Sequence, residues 1–160
     1  MEGNIIKTKE ELLKVYRNSA IKFRGLFIHQ FTNLEAILTM IAPNENLSIN
    51  NKIEVLKNKI QEYEKETEKK LPDLIEELKQ FKSARDILAH CALESDIKAL
   101  QKFIDERAFT FSKILPDKTI ELQTFTIKRI QTINKDMGNS TISLAEVSRW
   151  MIEKDIPHTR

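Results

Sequence analysis

Arg85, Asp86 and His90 stand together in the segment Arg85-Asp86-Ile87-Leu88-Ala89-His90. Each residue type has a use in acid–base or phosphate chemistry. Histidine is the side chain that takes or gives a proton near neutral pH. Arginine presents a planar fork of donors that matches a phosphate. Asp86 precedes His90 by one helical turn, close enough to hold an imidazole in one orientation. Arg85 and His90 are about 140° apart around a helix of 3.6 residues per turn, a gap that a long arginine can bridge. Such a set suits cleavage of a phosphodiester without a metal. A base removes a proton from a ribose 2′-OH, and a cation stabilises the charge that develops on phosphorus. The same residues also suit a satisfied polar network at an interface, and residue types alone leave both readings open.

The helix that must carry them is legible from its apolar spacing. Leu74, Leu78, Phe81 and Leu88 recur at helical steps, which marks one face. Arg85 lies four residues after Phe81 and three before Leu88, on that face. A charge there is costly unless an anion meets it, and the spacing predicts Asp86 or Glu35 as that anion. Pro72 suits the first turn of this helix, with Asp73, Glu76 and Glu77 at its positive end. The pattern runs to about Leu93.

The other elements follow the same logic. Thr8 and Glu11 form a capping-box pattern ahead of a long first helix. Its seam is Leu12, Tyr16, Ala20, Phe23, Phe27, Phe31, Leu34, Leu38 and Ile41, with Gly25 as a place for a kink and Pro43 as its stop. So long an apolar stripe asks for more than one partner and points to an oligomer. A second helix over roughly 50–68 carries Ile53, Leu56, Ile60 and Tyr63 among alternating lysines and glutamates. Ser95 is placed to cap a short fourth helix with Ile97, Leu100, Phe103 and Ile104. The period then changes to alternation at Phe109–Ile114 and again at Thr119–Gln123, with Pro116-Asp117-Lys118 between, which reads as a hairpin. A last helix begins near Thr126 and keeps its register through Gly138-Asn139-Ser140 as one helix.

Composition narrows the class. The chain has 160 residues, three glycines, four prolines and 31% charged residues, a mix that favours helices in one domain over residues 1–160. The net charge of +2 is too weak to argue for nucleic acid by itself. Cys91 is alone, so no disulfide framework arises, and it reads as a small buried hydrophobe. His29, His90 and His158 are widely spaced, and no glycine-rich phosphate loop, H-E-x-x-H, C-x-x-C or G-x-S-x-G occurs. No metal site and no cofactor are expected. No apolar run is long enough to span a membrane, and Met1-Glu2-Gly3-Asn4 does not read as an export signal, so a cytoplasmic location is expected. Trp150, beside Met151, reads as core or interface. His29 flanks the first-helix seam and is expected to be partly buried.

The segment Arg85-Asp86-Ile87-Leu88-Ala89-His90-Cys91 resembles the R-x4-6-H signature of the HEPN domains, with Asp86 in the polar position beside the arginine. Phe31-Thr32-Asn33-Leu34-Glu35 looks like the corresponding stretch of the long first helix in many HEPN proteins. The order of long helix, charged helix, signature helix, hairpin and final helix is similar too. The resemblance implies an all-α, up-and-down helical bundle with a small hairpin before the last helix. It implies a homodimer in which two signature helices build one composite site. Many HEPN domains are metal-independent endoribonucleases of toxin–antitoxin or defence systems, so RNA as substrate and an antitoxin protein as partner are implied. Arg85 would contact phosphate, His90 would act as base or acid, Asp86 would orient or polarise, and Glu35 would support Arg85. Other members bind without catalysis, so a dimer that binds nucleotide, nucleic acid or protein is the alternative, and a structural dimer whose polar cluster fixes register is a third.

Overall fold

Thr8 opens the first helix as its spacing predicts. In the computed structural model, which describes residues 8–44 and 46–154, Thr8 Oγ1 accepts the Glu11 N–H at 3.0 Å. That bond fills one of the donors a helix start leaves unpaired. Helix α1 then runs without a break over Lys9–Ile41, passing through Gly25. Helix α2, Ile49–Thr67, buries the expected Ile53, Leu56, Ile60 and Tyr63, and Ser48 caps it. Helix α3, Leu74–His90, starts later than expected. Pro72 stands two residues ahead of it, and Asp73 is the cap, accepting the Glu76 N–H at 3.3 Å. Helix α4, Ile97–Glu106, is capped by Asp96 and not by Ser95. Helix α5, Ile127–Glu153, continues through Gly138 as its register predicts.

The hairpin is present as β2, Ala108–Ile114, and β3, Ile120–Thr126. It does not stand alone, which corrects the sequence expectation. Ala92–Leu93 leave the helical pattern and form a short strand, β1, antiparallel to β2, giving the sheet order β1-β2-β3. With 73% of the described residues in helices, the chain keeps the mostly helical class expected of it. No described helix is long and apolar enough to cross a membrane. His158 lies outside the described residues.

The chain forms two compact units, each assembled from separated stretches. One comprises residues 8–28 and 84–134. Its core is aromatic. Tyr16 meets Phe103 edge-on at 5.2 Å and Phe109 at 5.7 Å, and Phe103 stacks on Phe109. Phe111 and Phe125 pair across the hairpin's inner face. The other comprises residues 29–83 and 135–154 and is built from helical segments alone. Tyr63 of α2 meets Trp150 of α5 edge-on at 5.7 Å. Ser140 of α5 donates to Glu77 of α3 at 2.7 Å. Trp150 is buried, as expected.

Tyr16 does more than fill space. Its hydroxyl donates to the Glu94 carbonyl at 2.6 Å and accepts the Thr110 N–H at 3.3 Å, while Glu94 N–H donates to the Thr110 carbonyl at 2.8 Å. In an antiparallel ladder a residue pair of this kind exchanges two direct bonds. Here one bond is direct and the hydroxyl is inserted in place of the other. The ring is fully buried, and burial raises its pKa above the ordinary 10.0, against the lowering effect of the Thr110 N–H.

The hairpin turn holds one strained residue. Leu115 N–H bonds the Thr119 carbonyl, so Pro116-Asp117-Lys118 is a three-residue loop, and Lys118 sits at φ 69° in the left-handed region, where glycine fits best.

Two outcomes follow. Tyr16→Phe leaves a strand N–H and a carbonyl without their bridge and lowers stability by about 1–3 kcal/mol, read by denaturant unfolding. Because its folded pKa is raised, the tyrosine's contribution is full below about pH 10 and declines as pH rises through the folded value. The alkaline loss should be smaller in Tyr16→Phe. Lys118→Gly should raise stability by roughly 0.5–1 kcal/mol, seen as a higher Tm.

Candidate functional site

Helix α3 sets the geometry of the three signature residues. Its buried face over the last turns is Phe81, Ala84, Leu88 and Cys91. Ala84 takes the centre of the face, so Arg85 lies on its flank, with 24% of its side chain exposed. The expected anion is present. Asp86 Oδ1 lies 3.2 Å from Arg85 Nε, and the Asp86 side chain is 43% exposed. The adjacent acid is thus within ion-pair distance of the guanidinium, although Arg85 Nε does not reach hydrogen-bond geometry.

His90 is the last residue of α3 and is exposed. It shares a helical face with Asp86 through their four-residue spacing, yet no described residue hydrogen-bonds or ion-pairs with its imidazole. In the structure Asp86 meets Arg85, leaving the imidazole open to solvent. Glu35 is half-buried on α1 within the all-helical unit. His29 is exposed, which corrects the expectation of partial burial; its position on α1 points outward from the seam. Cys91 is buried and free, as a small apolar side chain would be.

Two residues that the spacing argument passed over fix the end of α3. Arg24 Nε donates to the Leu88 carbonyl at 2.7 Å, and its guanidinium lies 5.4 Å from the Phe111 ring centre. Leu88 has one of the last carbonyls of the helix, which lack a partner within it. A cation there also meets the partial negative charge of the helix end. Tyr16 grips Glu94 on the other side of the turn. Between these two anchors the chain leaves the helix at His90 and enters β1 at Ala92. The imidazole thus sits on a short segment held at both ends.

Arg24 was open to discovery by the rule that singled out Arg85. It lies four residues after Ala20 and three before Phe27, both buried, so it is a charge on an apolar shoulder that needs an anion or a carbonyl. Tyr16 carried a similar signal, a hydroxyl in the middle of an apolar seam.

Charge is unevenly shared. The unit that contains the signature has 13 lysines and arginines against 9 acids over residues 8–28 and 84–134. Residues 29–83 and 135–154 have 11 against 13. The near-neutral total conceals a net +4 on the unit that carries Arg85, Asp86 and His90. Among the described residues no three His, Cys, Asp or Glu side chains gather as metal ligands would.

Comparison with protein-family models, curated proteins and solved structures finds no match.

Arg24→Met, which keeps length but loses the charged donor, should lower stability by about 1.5–3 kcal/mol. Amide exchange at Cys91, whose N–H bonds Ile87, should accelerate with it, since the last turn of α3 loses its outside anchor. Unchanged exchange there would show that the turn holds without Arg24.

Proposed function

We propose that this chain is a HEPN-type, metal-independent endoribonuclease that acts as a homodimer. One observation carries the reading. Arg85 and Asp86 meet at 3.2 Å just over a turn from an exposed His90, on a helix end anchored by Arg24 and Tyr16. The arrangement offers a positioned cation and a solvent-accessible imidazole on one short surface. An open helix end suits a polymer better than a small nucleotide, which binds in a concave pocket. The net positive charge of the signature-bearing unit adds attraction for a polyanion.

In the proposed reaction His90 takes the proton of a ribose 2′-OH. The 2′-oxygen attacks the adjacent phosphorus, and the bond from phosphorus to the 5′-oxygen breaks. The leaving oxygen takes a proton and becomes a 5′-hydroxyl, and the other fragment ends in a 2′,3′-cyclic phosphate. Arg85 stabilises the charge that builds on the phosphate oxygens. Asp86 acts on Arg85, holding its guanidinium in position. Two copies sharing a cleft would supply two imidazoles, one to accept a proton and one to donate it. A toxin–antitoxin or defence role, with an antitoxin protein as partner, is part of this proposal.

Purified protein incubated with RNA should give cyclic-phosphate and 5′-hydroxyl ends, with and without a chelator, and should leave DNA intact because DNA lacks the attacking hydroxyl. Arg85→Ala and His90→Ala should each slow cleavage by roughly 10²-fold or more and leave helical content unchanged. Cleavage that persists in His90→Ala, or that stops with chelator, would sink the proposal and favour a non-catalytic binding dimer.

A further inference from the structure

The register of the hairpin determines which backbone groups of β3 are spent. Ile127 N–H bonds the Arg107 carbonyl at one end and Leu115 N–H bonds the Thr119 carbonyl at the other. Phe109–Phe125, Phe111–Gln123 and Lys113–Glu121 belong to the same alternating set, so these pairs exchange bonds across the hairpin. Ile120, Leu122 and Thr124 fall between them, and their N–H and C=O groups point away from β2. β1 occupies the far side of β2, so β3 is an edge. Of its outward groups, the Thr124 carbonyl receives a long bond of 3.4 Å from Arg129.

The same stretch exposes apolar side chains. Ile120 and Leu122 are 64% and 61% exposed, and Ile114, directly opposite Ile120, is 75% exposed. Edge strands are ordinarily blunted by charge, proline or a bulge. The charge on β3, Glu121, pairs in register with Lys113 on the opposite face from Ile120 and Leu122, so it does not guard them.

We infer that β3 pairs edge to edge with β3 of a second copy of this chain, antiparallel, about a two-fold axis at Leu122. Charge disfavours the neighbouring register on the turn side. An axis at Glu121 would oppose the carboxylate to its own copy, which disfavours pairing. With the axis at Leu122, Leu122 faces Leu122, Ile120 faces Thr124, and Glu121 faces Gln123. The outward-pointing groups of each copy then meet one another, as an antiparallel ladder requires. The turn residue Asp117 comes opposite the first turn of the other copy's α5, where Lys128 and Arg129 stand. Thr119 donates its hydroxyl and its N–H to the Asp117 carboxylate, holding that carboxyl below its usual pKa and so anionic. The contact between acid and bases occurs twice by symmetry. The product is a six-stranded sheet running through both copies.

This pairing is separate from any contact between signature helices, and the test keeps them apart. Amide exchange at Ile120 and Leu122 is measured at low and high protein concentration, beside light scattering. Both amides lack a partner among the described residues, so protection that rises about 10-fold or more with concentration is the expected result. Leu122→Lys places two cations on the axis and should abolish the protection, with helical circular dichroism unchanged. Leu122→Pro should act in the same way, since the N–H it removes is unused in the hairpin. Free exchange of both amides at every concentration overturns the inference. So does a dimer that persists in Leu122→Lys with the same exchange pattern, and that result would leave the RNA-cleavage reading untouched.

Discussion

A single buried hydroxyl decides where the sheet stops. Tyr16 stands between Glu94 and Thr110, accepting the Thr110 N–H and donating its O–H to the Glu94 carbonyl. A direct bond at that position would let β1 continue alongside β2. The inserted oxygen bridges Glu94 and Thr110 and satisfies both backbone groups, which a buried site demands. The chain is free to turn away after Glu94 and to start α4 on the Asp96 cap. The ring that delivers the hydroxyl also seats Phe103 and Phe109, so helix, sheet and short helix are located by one residue. The position of His90 is downstream of that arrangement, because the turn it occupies is held between the Leu88 and Glu94 carbonyls.

Three arginines of this unit each meet a group that answers their charge. Arg24 has a helix-end carbonyl and an aromatic face. Arg85 has Asp86. Arg129 lies over the Phe125 ring at 4.4 Å. Guanidinium groups tolerate such places because they are weakly hydrated and planar. His90 differs from them in that no described residue hydrogen-bonds or ion-pairs with its side chain, and an exposed imidazole on a fixed turn is available to an incoming ligand.

Much of this was legible in the sequence, and the exceptions have physical causes. The seams of α1, α2 and α5 span many turns, so periodicity found them and their buried residues. The hairpin was visible because alternation and a proline-containing turn coincide. β1 was missed because two residues cannot show a period, and Ala92-Leu93 fit a helix equally well until β2 is there to pair with them. Helix ends were harder. Glu68 and Arg107 adopt the left-handed conformation at the ends of α2 and α4, and neither is the glycine or asparagine that marks such a place. Ser95 and Asp96 are both good caps, and side-chain chemistry alone does not choose between neighbours. At the candidate site the helix face and the partnership of Arg85 with Asp86 could be read from spacing. Arg24 and Tyr16 act on residues 64 and 78 positions away, and no local pattern carries that information.

The same separation bears on how the protein is made. Tyr16 leaves the ribosome 94 residues before Thr110, a delay of roughly 5–20 s at ordinary elongation rates. During that interval the nascent chain presents the aromatic seam of α1 with its sheet not yet synthesised. The first compact unit is completed only when β2, β3 and the start of α5 have emerged, so the first part of α1 cannot finish its packing before about residue 134 has been made. Synthesis therefore opens a window in which Tyr16 and Phe23 are made before Phe109, the ring they meet in the native core.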